Sequence, residues 1–166
     1  MRPPFLHFPE LHTQHLVLRQ VQPTDVPQLR EIMFYDGKPA ETAGQARQML
    51  DKIAADYLQG NTVNWVIADK ITNQPLGTCG YYRGFKNHTG EIGYVMRPMA
   101  RGRGFMTEAV SALVRFGFRQ LKLQQVVAYT NTHNLASIQV LHRAGFLQVP
   151  GEEEQYLKCS REAGSS

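Results

Sequence analysis

The residues whose types and spacing carry the most chemistry run from Glu91 to Ala109. An apolar run from Ile92 to Met96 leads into a basic turn, Arg101-Gly102-Arg103-Gly104. Beyond it, Ala109, Leu113, Phe116 and Phe118 recur near helical spacing. A helix start carries unpaired N–H groups and a partial positive charge, which suits an anion. Glycines let the backbone approach that anion and adopt positive φ, and the two arginines add charge. The segment reads as a pyrophosphate site, with an ordinary turn before an amphipathic helix as the alternative. It is not a Walker loop, because no Gly-Lys-Ser/Thr tripeptide occurs. It also departs from the dinucleotide fingerprint: residues 102–107 lack the third glycine, and 121–125 supply no acid.

Arg101-Gly102-Arg103-Gly104-Phe105-Met106 resembles the central signature of the GNAT superfamily of acyl-CoA N-acyltransferases, Gln/Arg-x-x-Gly-x-Gly/Ala. It matches at Arg101 and Gly104, with Met106 where the family shows Gly or Ala. A second family block, Asn-x-x-Ser/Ala before a helix ending in Gly-Phe, is similar to Asn134, Ser137 and Gly145-Phe146. Glu91-Ile92-Gly93-Tyr94 and Thr107-Glu108-Ala109 look most like the ribosomal-protein N-terminal acetyltransferase branch. The resemblance implies acetyl-CoA as co-substrate. It assigns the pyrophosphate to Arg101, Gly102, Arg103, Gly104, Phe105, Met106 and Thr107. The thioester carbonyl is assigned to backbone near Tyr94, Val95 and Met96, and the cofactor arm to Asn134 and Ser137. Met106 is compatible with tight binding if its side chain points away from the phosphates.

Acylating an amine with a thioester requires a neutral amine, a stabilised oxyanion and, for some acceptors, a proton for the leaving thiolate. An α-amino group with a pKa of ~8 is partly neutral at physiological pH, whereas a lysine at ~10.4 is mostly charged. A base therefore matters more for lysine. Glu91 matches the acidic residue several family members use, and is equally readable as a solvated glutamate at a strand entrance. Ser137 matches the serine implicated at the cofactor sulfur; its alternative is a first-turn helix serine bonding nearby backbone. Asn134 also reads as a helix N-cap. The tyrosine that many family members use as an acid is replaced by Leu141, and its neighbour His142 should point away from the site.

The elements that must position these groups read in the order βααβββαβαββ. Strands fall at 15–21, 62–69, 76–82, 91–96 and 125–130, with a last hairpin from 146–149 and 155–159. Helices fall after Pro23-Thr24-Asp25, with Asp25 in a capping triplet, and at 41–58, 104–121 and 135–144. Residues 160–166 read as a frayed tail. This order gives one α/β domain over 1–166, with a mixed, mostly antiparallel sheet and helices on both faces. The resemblance adds that the central strands splay apart. Specificity is expected from the first two helices, the loop 83–89 and the final hairpin. Tyr35, Trp65, Tyr81, Tyr82 and Phe85 are either pocket or packing aromatics. The acidic hairpin loop Pro150 to Glu154 either attracts a cationic amine or is solvated.

Bulk properties set the limits. A chain of 166 residues, 42% hydrophobic, buries one substantial core. No run approaches the roughly 18–20 apolar residues that span a bilayer, and Met1 to Pro9 lacks a signal peptide's apolar stretch. Two cysteines, Cys79 and Cys159, fit buried thiols in a cytoplasmic protein, with one disulfide as the alternative and no metal cluster. Much of the net charge of +4 lies at Arg97, Arg101, Arg103, Arg115, Arg119 and Lys122, near the proposed cofactor helix. A phosphate-bearing small molecule accounts for it. No motif for sequence-specific nucleic-acid binding is present. The leading expectation is an N-acetyltransferase acting on a protein N-terminus or small amine, as a monomer or homodimer. The alternatives are a polyamine or antibiotic acetyltransferase and a noncatalytic acyl-CoA-binding domain.

Overall fold

Alternating burial organises the molecule around one sheet. The computed structural model describes residues 2–35, 38–150 and 156–164. Strands β1 (Leu11–His12) and β2 (Leu16–Arg19) precede α1 (Val26–Leu29), a short helix extended by 3-10 turns on either side. A small pair, β3 (Phe34–Tyr35) and β4 (Lys38–Pro39), leads to α2 (Ala43–Leu58), then β5 (Val63–Asp69), β6 (Pro75–Tyr82) and β7 (Thr89–Met96). The remainder is α3 (Phe105–Arg119), β8 (Gln125–Asn131), α4 (Leu135–Arg143), β9 (Leu147–Val149) and β10 (Tyr156–Glu162). The main sheet has the order β1-β2-β5-β6-β7-β8-β10-β9. Every neighbouring pair is antiparallel except β7–β8, which is parallel. The expected mixed α/β sheet is therefore observed.

Side chains alternate between two cores, as strand geometry requires. Leu16, Leu18, Trp65 and Ile67 face α3 and α4, where Ala109, Val110, Leu113 and Leu141 are buried. Val17, Val66 and Ala68 face α1 and α2, against Val26, Leu29 and Ala46. The N-terminal segment joins the first core: Phe8 packs edge-on to Trp65, and the Trp65 indole donates to Pro9 O at 2.7 Å. No helix among the described residues is long and apolar enough to cross a membrane.

Three local expectations change. Asp25 stands at the N-cap position of α1, as expected, but its side chain makes no bond to that helix and closes a capping box on the preceding 3-10 turn. Its carboxylate instead receives both Nη groups of the buried Arg19, at 2.8 and 2.9 Å, as well as the Gln22 N–H. Asp25, chiefly by that hydrogen bond, holds the Arg19 guanidinium above its ordinary pKa. Residues 160–162 are not a frayed tail, because β10 lies between β8 and β9, with Ser160 to Glu162 paired to Val127 to Gln125. Arg161, inside that strand, donates to Ala144 O at 2.7 Å. Finally, Arg97 does not serve the basic turn; it is held by Glu31, Gln28 and Pro75 O. Cys79 and Cys159 are both buried and unbonded.

Candidate active site

The site begins where β7 and β8 part. Their parallel register runs from Thr89↔Gln125 to Ile92↔Ala128 and stops, although β7 continues to Met96 and β8 to Asn131. Each strand stays held on its far side: Gly93 to Met96 by β6, and Tyr129 to Asn131 by β10. A gap therefore opens between two firmly paired half-sheets. Backbone groups along a strand turn alternately to its two neighbours. Arg97 N–H donates to Leu76 O in β6 at 2.8 Å, so Tyr94 and Met96 present their backbone groups to the gap. Tyr94 N–H is thus placed to donate to an oxygen lying there, and Met96 O already accepts from Arg101 Nε at 3.1 Å.

The basic turn closes one end of the gap. Gly102 and Gly104 have φ of 74° and 77°, a left-handed conformation that glycine adopts without penalty. Gly104 is the N-cap of α3, and the first N–H it receives within the helix is that of Glu108. The N–H groups of Phe105, Met106 and Thr107 thus lack intrahelical acceptors. A Cβ built on either turn glycine would meet nothing within 4 Å, so the approach to this backbone is open. Arg103 stacks over Phe105, 4.6 Å from the ring centroid. Met106 packs against the main core, which directs it away from the turn. These residues fit a diphosphate: convergent N–H donors, two guanidiniums and no side chain in the way.

Glu108, in the first turn of α3, ties this helix to the β1–β2 turn. It accepts from Thr13 Oγ1, from His15 N–H at 2.7 Å, and pairs with His15 Nδ1 at 3.0 Å. Burial alone would raise its pKa, but the Thr13 and His15 hydrogen bonds prevail and hold it below the ordinary range. Sequence reasoning missed this anchor, because the partners lie far apart in the chain.

Within the parted stretch of β7, Tyr94 reaches α4 through a pair of hydroxyls. Asn134 caps α4, its Oδ1 accepting the Ser137 N–H at 3.1 Å. Ser137 Oγ in turn lies 2.7 Å from the Tyr94 hydroxyl. Burial, offset in part by Ser137, pushes Tyr94 up to about 12, so the phenol stays protonated at neutral pH. Tyr94 and Ser137, each assigned to the cofactor by the resemblance, are thus joined through their hydroxyls, with Asn134 capping the same helix end. The Tyr94 hydroxyl as the partner of Ser137 was not foreseen.

Glu91 opens onto the opposite face of β7. It lies, with Gly93 and Val95, in a cleft of about 810 Å³ between the sheet and α1 and α2. Arg83 approaches its carboxylate at 3.4 Å. Arg83 itself has φ of 63°, in a strained loop that also contains Asn87 and His88 at positive φ. Of the aromatics, Tyr82 lines the cleft and donates to Asn64 Oδ1 at 2.9 Å. Trp65 and Tyr81 are core residues instead, because β5 and β6 are central strands covered on both faces, and Phe85, in the loop after β6, packs against the Tyr81 ring in the same core. Tyr81 donates to Leu113 O at 2.7 Å. His142 is exposed and turned away, while Leu141 is buried. The Tyr35 side chain and residues 151–154 lie outside the described residues.

Comparison with known proteins agrees with this fold. The acetyltransferase (GNAT) domain model matches residues 15–147. The "uncharacterized N-acetyltransferase YoaA" of Bacillus subtilis (strain 168) is 33% identical over 158 residues, covering 90% of this chain and 89% of that protein. Among solved structures, the ribosomal alpha-N-protein acetyltransferase RimL, in complex with coenzyme A, aligns with a TM-score of 0.80 at 17% identity. That alignment covers 93% of this chain and 98% of RimL. The spermidine N-acetyltransferase of Vibrio cholerae aligns with a TM-score of 0.72 at 16% identity, over 90% and 95% of the two chains. Fold neighbours thus include enzymes of proteins and of polyamines. With a family model spanning most of its length and a full-length relative above 30% identity, the chain is an N-acetyltransferase of the GNAT family.

Proposed function

We propose that the protein transfers an acetyl group directly from acetyl-CoA to a primary amine. The observation that carries this reading is the parting of β7 and β8, with an anion-binding turn at one end and a cleft bearing Glu91 on the opposite face. The turn from Arg101 to Thr107 holds the diphosphate through backbone N–H groups and guanidinium charge. Tyr94 N–H donates to the thioester oxygen as negative charge develops there. Asn134 contacts the cofactor arm. Glu91 accepts a proton from the attacking ammonium, directly or through a water, so that the neutral amine forms the new C–N bond. Ser137 donates a hydrogen bond to the departing sulfur, and Tyr94 fixes the direction of that hydroxyl. The acceptor is a small amine or a protein N-terminus.

The test measures free thiol released from acetyl-CoA across a panel of amines and N-terminal peptides, with the acetylated product identified by mass. Glu91→Gln should lower kcat by about 10²-fold with little change in acetyl-CoA affinity, the size expected of a positioned base. Unchanged kinetics would remove Glu91 from the mechanism. Cofactor binding without turnover on any amine would replace the transferase reading with that of an acyl-CoA-binding domain.

A further inference from the structure

We propose that the acceptor is a primary amine with a single charged end and an apolar body, rather than a polyamine. The inference rests on the transferase reading and names the substrate class of the same site. The cleft leading to Glu91 has two unlike parts. Its wall carries Met33, Phe34, Met49, Leu50 and Ile53, contributed by the chain after α1 and by one side of α2. Phe34 is 52% exposed, an aromatic ring left open at a cleft rather than packed in a core. The polar part lies apart from that wall: Asn61, Thr62, Asn64 and Thr78, with two carboxylates, Asp56 and Glu91, and two cationic side chains, Arg83 and Lys86. Asn64 is oriented by the Tyr82 hydroxyl.

Charge decides between acceptor classes. Arg83 and Lys86 also line the cleft, and Arg83 already faces Glu91 at 3.4 Å. The two carboxylates of the cleft are matched by two cationic residues, so the further ammonium groups of a polyamine would lie along methionine, leucine and isoleucine side chains. Each desolvated ammonium without a partner carries a heavy cost. An amine with an aliphatic or aromatic body places its one charge at Glu91 and its carbon on the wall. Methionines suit bodies of varied shape, because their side chains are flexible and polarizable. Free arylalkylamines and alkylamines share this chemistry with peptide N-termini whose first residues are apolar.

The experiment compares kcat/KM for phenethylamine, hexylamine, a Met-Leu-Phe peptide, a Ser-Asp-Glu peptide and spermidine, using the full chain and saturating acetyl-CoA. Phenethylamine, hexylamine or the apolar peptide should exceed both spermidine and the acidic peptide by at least about tenfold, the discrimination that apolar burial supplies. A preference within the favoured group assigns the source, free amine or protein N-terminus. Phe34→Ser and Ile53→Lys should each reduce kcat/KM for the favoured amine about tenfold, leaving acetyl-CoA affinity and the unfolding temperature in place. Phe34→Ser, at an exposed position, guards against a folding defect in the other variant. Spermidine equal to or better than the apolar amines would overturn the inference while leaving the transferase reading intact. Two variants with wild-type kinetics on the apolar amines would overturn it as well. Acetylation of nothing in the panel, with acetyl-CoA still bound, would remove both readings.

Discussion

Replacing Tyr94 by Phe removes one hydroxyl and keeps the ring, which isolates the hydrogen bond to Ser137 from packing. That bond is 2.7 Å long and half-buried. A neutral hydrogen bond of this kind contributes about 1 kcal/mol net, which corresponds to roughly fivefold in rate if it is needed only to direct the Ser137 hydroxyl. Ser137→Ala removes the donor itself and should lower kcat by about 10²-fold, the range of a single proton or hydrogen-bond donor in the transition state. If Tyr94 acts through Ser137, the two losses do not add. Tyr94→Phe should then have no further effect in the Ser137→Ala background, giving a coupling of about 1 kcal/mol. The assay is steady-state thiol release with acetyl-CoA and the best amine of the panel. KM for acetyl-CoA should stay near wild type in all three variants. Because Tyr94 is raised to about 12, its ionisation should leave no mark on the rate profile at neutral pH. Fully additive losses would refute the reasoning, and so would a Tyr94→Phe variant that changes only KM.

Two further outcomes test the turn and its anchor. Gly104→Ala should cost about 1–2 kcal/mol of stability from its positive φ and leave acetyl-CoA binding measurable. Gly104→Glu should weaken binding by a further factor of about 10², taking a carboxylate ~5 Å from the diphosphate at an effective dielectric of about 20. Calorimetry and thermal unfolding separate the two effects. Glu108→Gln should lower stability at pH 7 by about 1–2 kcal/mol in denaturant melts, through weakened hydrogen bonds to Thr13 and His15. The folded-state pKa of Glu108 is depressed, so its charge-dependent contribution is present above the unfolded pKa. It is lost as pH falls through the folded value, so the gap between wild type and variant should close only at pH below the ordinary glutamate range.

How much of this was legible in the sequence follows from the range of the interactions involved. The strand–turn–helix from Ile92 to Phe116 could be read because local rules dictate it: apolar runs, two glycines and helical spacing. Asn134 was legible as a helix N-cap, whereas Ser137 stood out only through the family resemblance, and the cap bond between them is a finding of the structure. The Tyr94–Ser137 bond joins residues of β7 and α4 and has no local signal. Asp25 was legible as a residue at a helix start, but its pairing with the buried Arg19 on β2 was not, because the partner has no local signal. The aromatics of β5 and β6 could not be sorted by type. Tyr81 and Tyr82 are adjacent on one strand, and alternation sends one to the core and the other to the cleft. Residues 160–162 read as tail because Arg161 and Glu162 are charged. Arg161 is nevertheless accommodated in a strand, through its bond to Ala144 O.

Calorimetric titration of the wild-type chain with acetyl-CoA, and then with pantetheine lacking the diphosphate, tests the central claim most directly. The account predicts micromolar binding of acetyl-CoA and a loss of at least about 10²-fold for pantetheine, because the proposal assigns the turn from Arg101 to Thr107 to the diphosphate. Equal affinity for both, or no binding of acetyl-CoA, would contradict it.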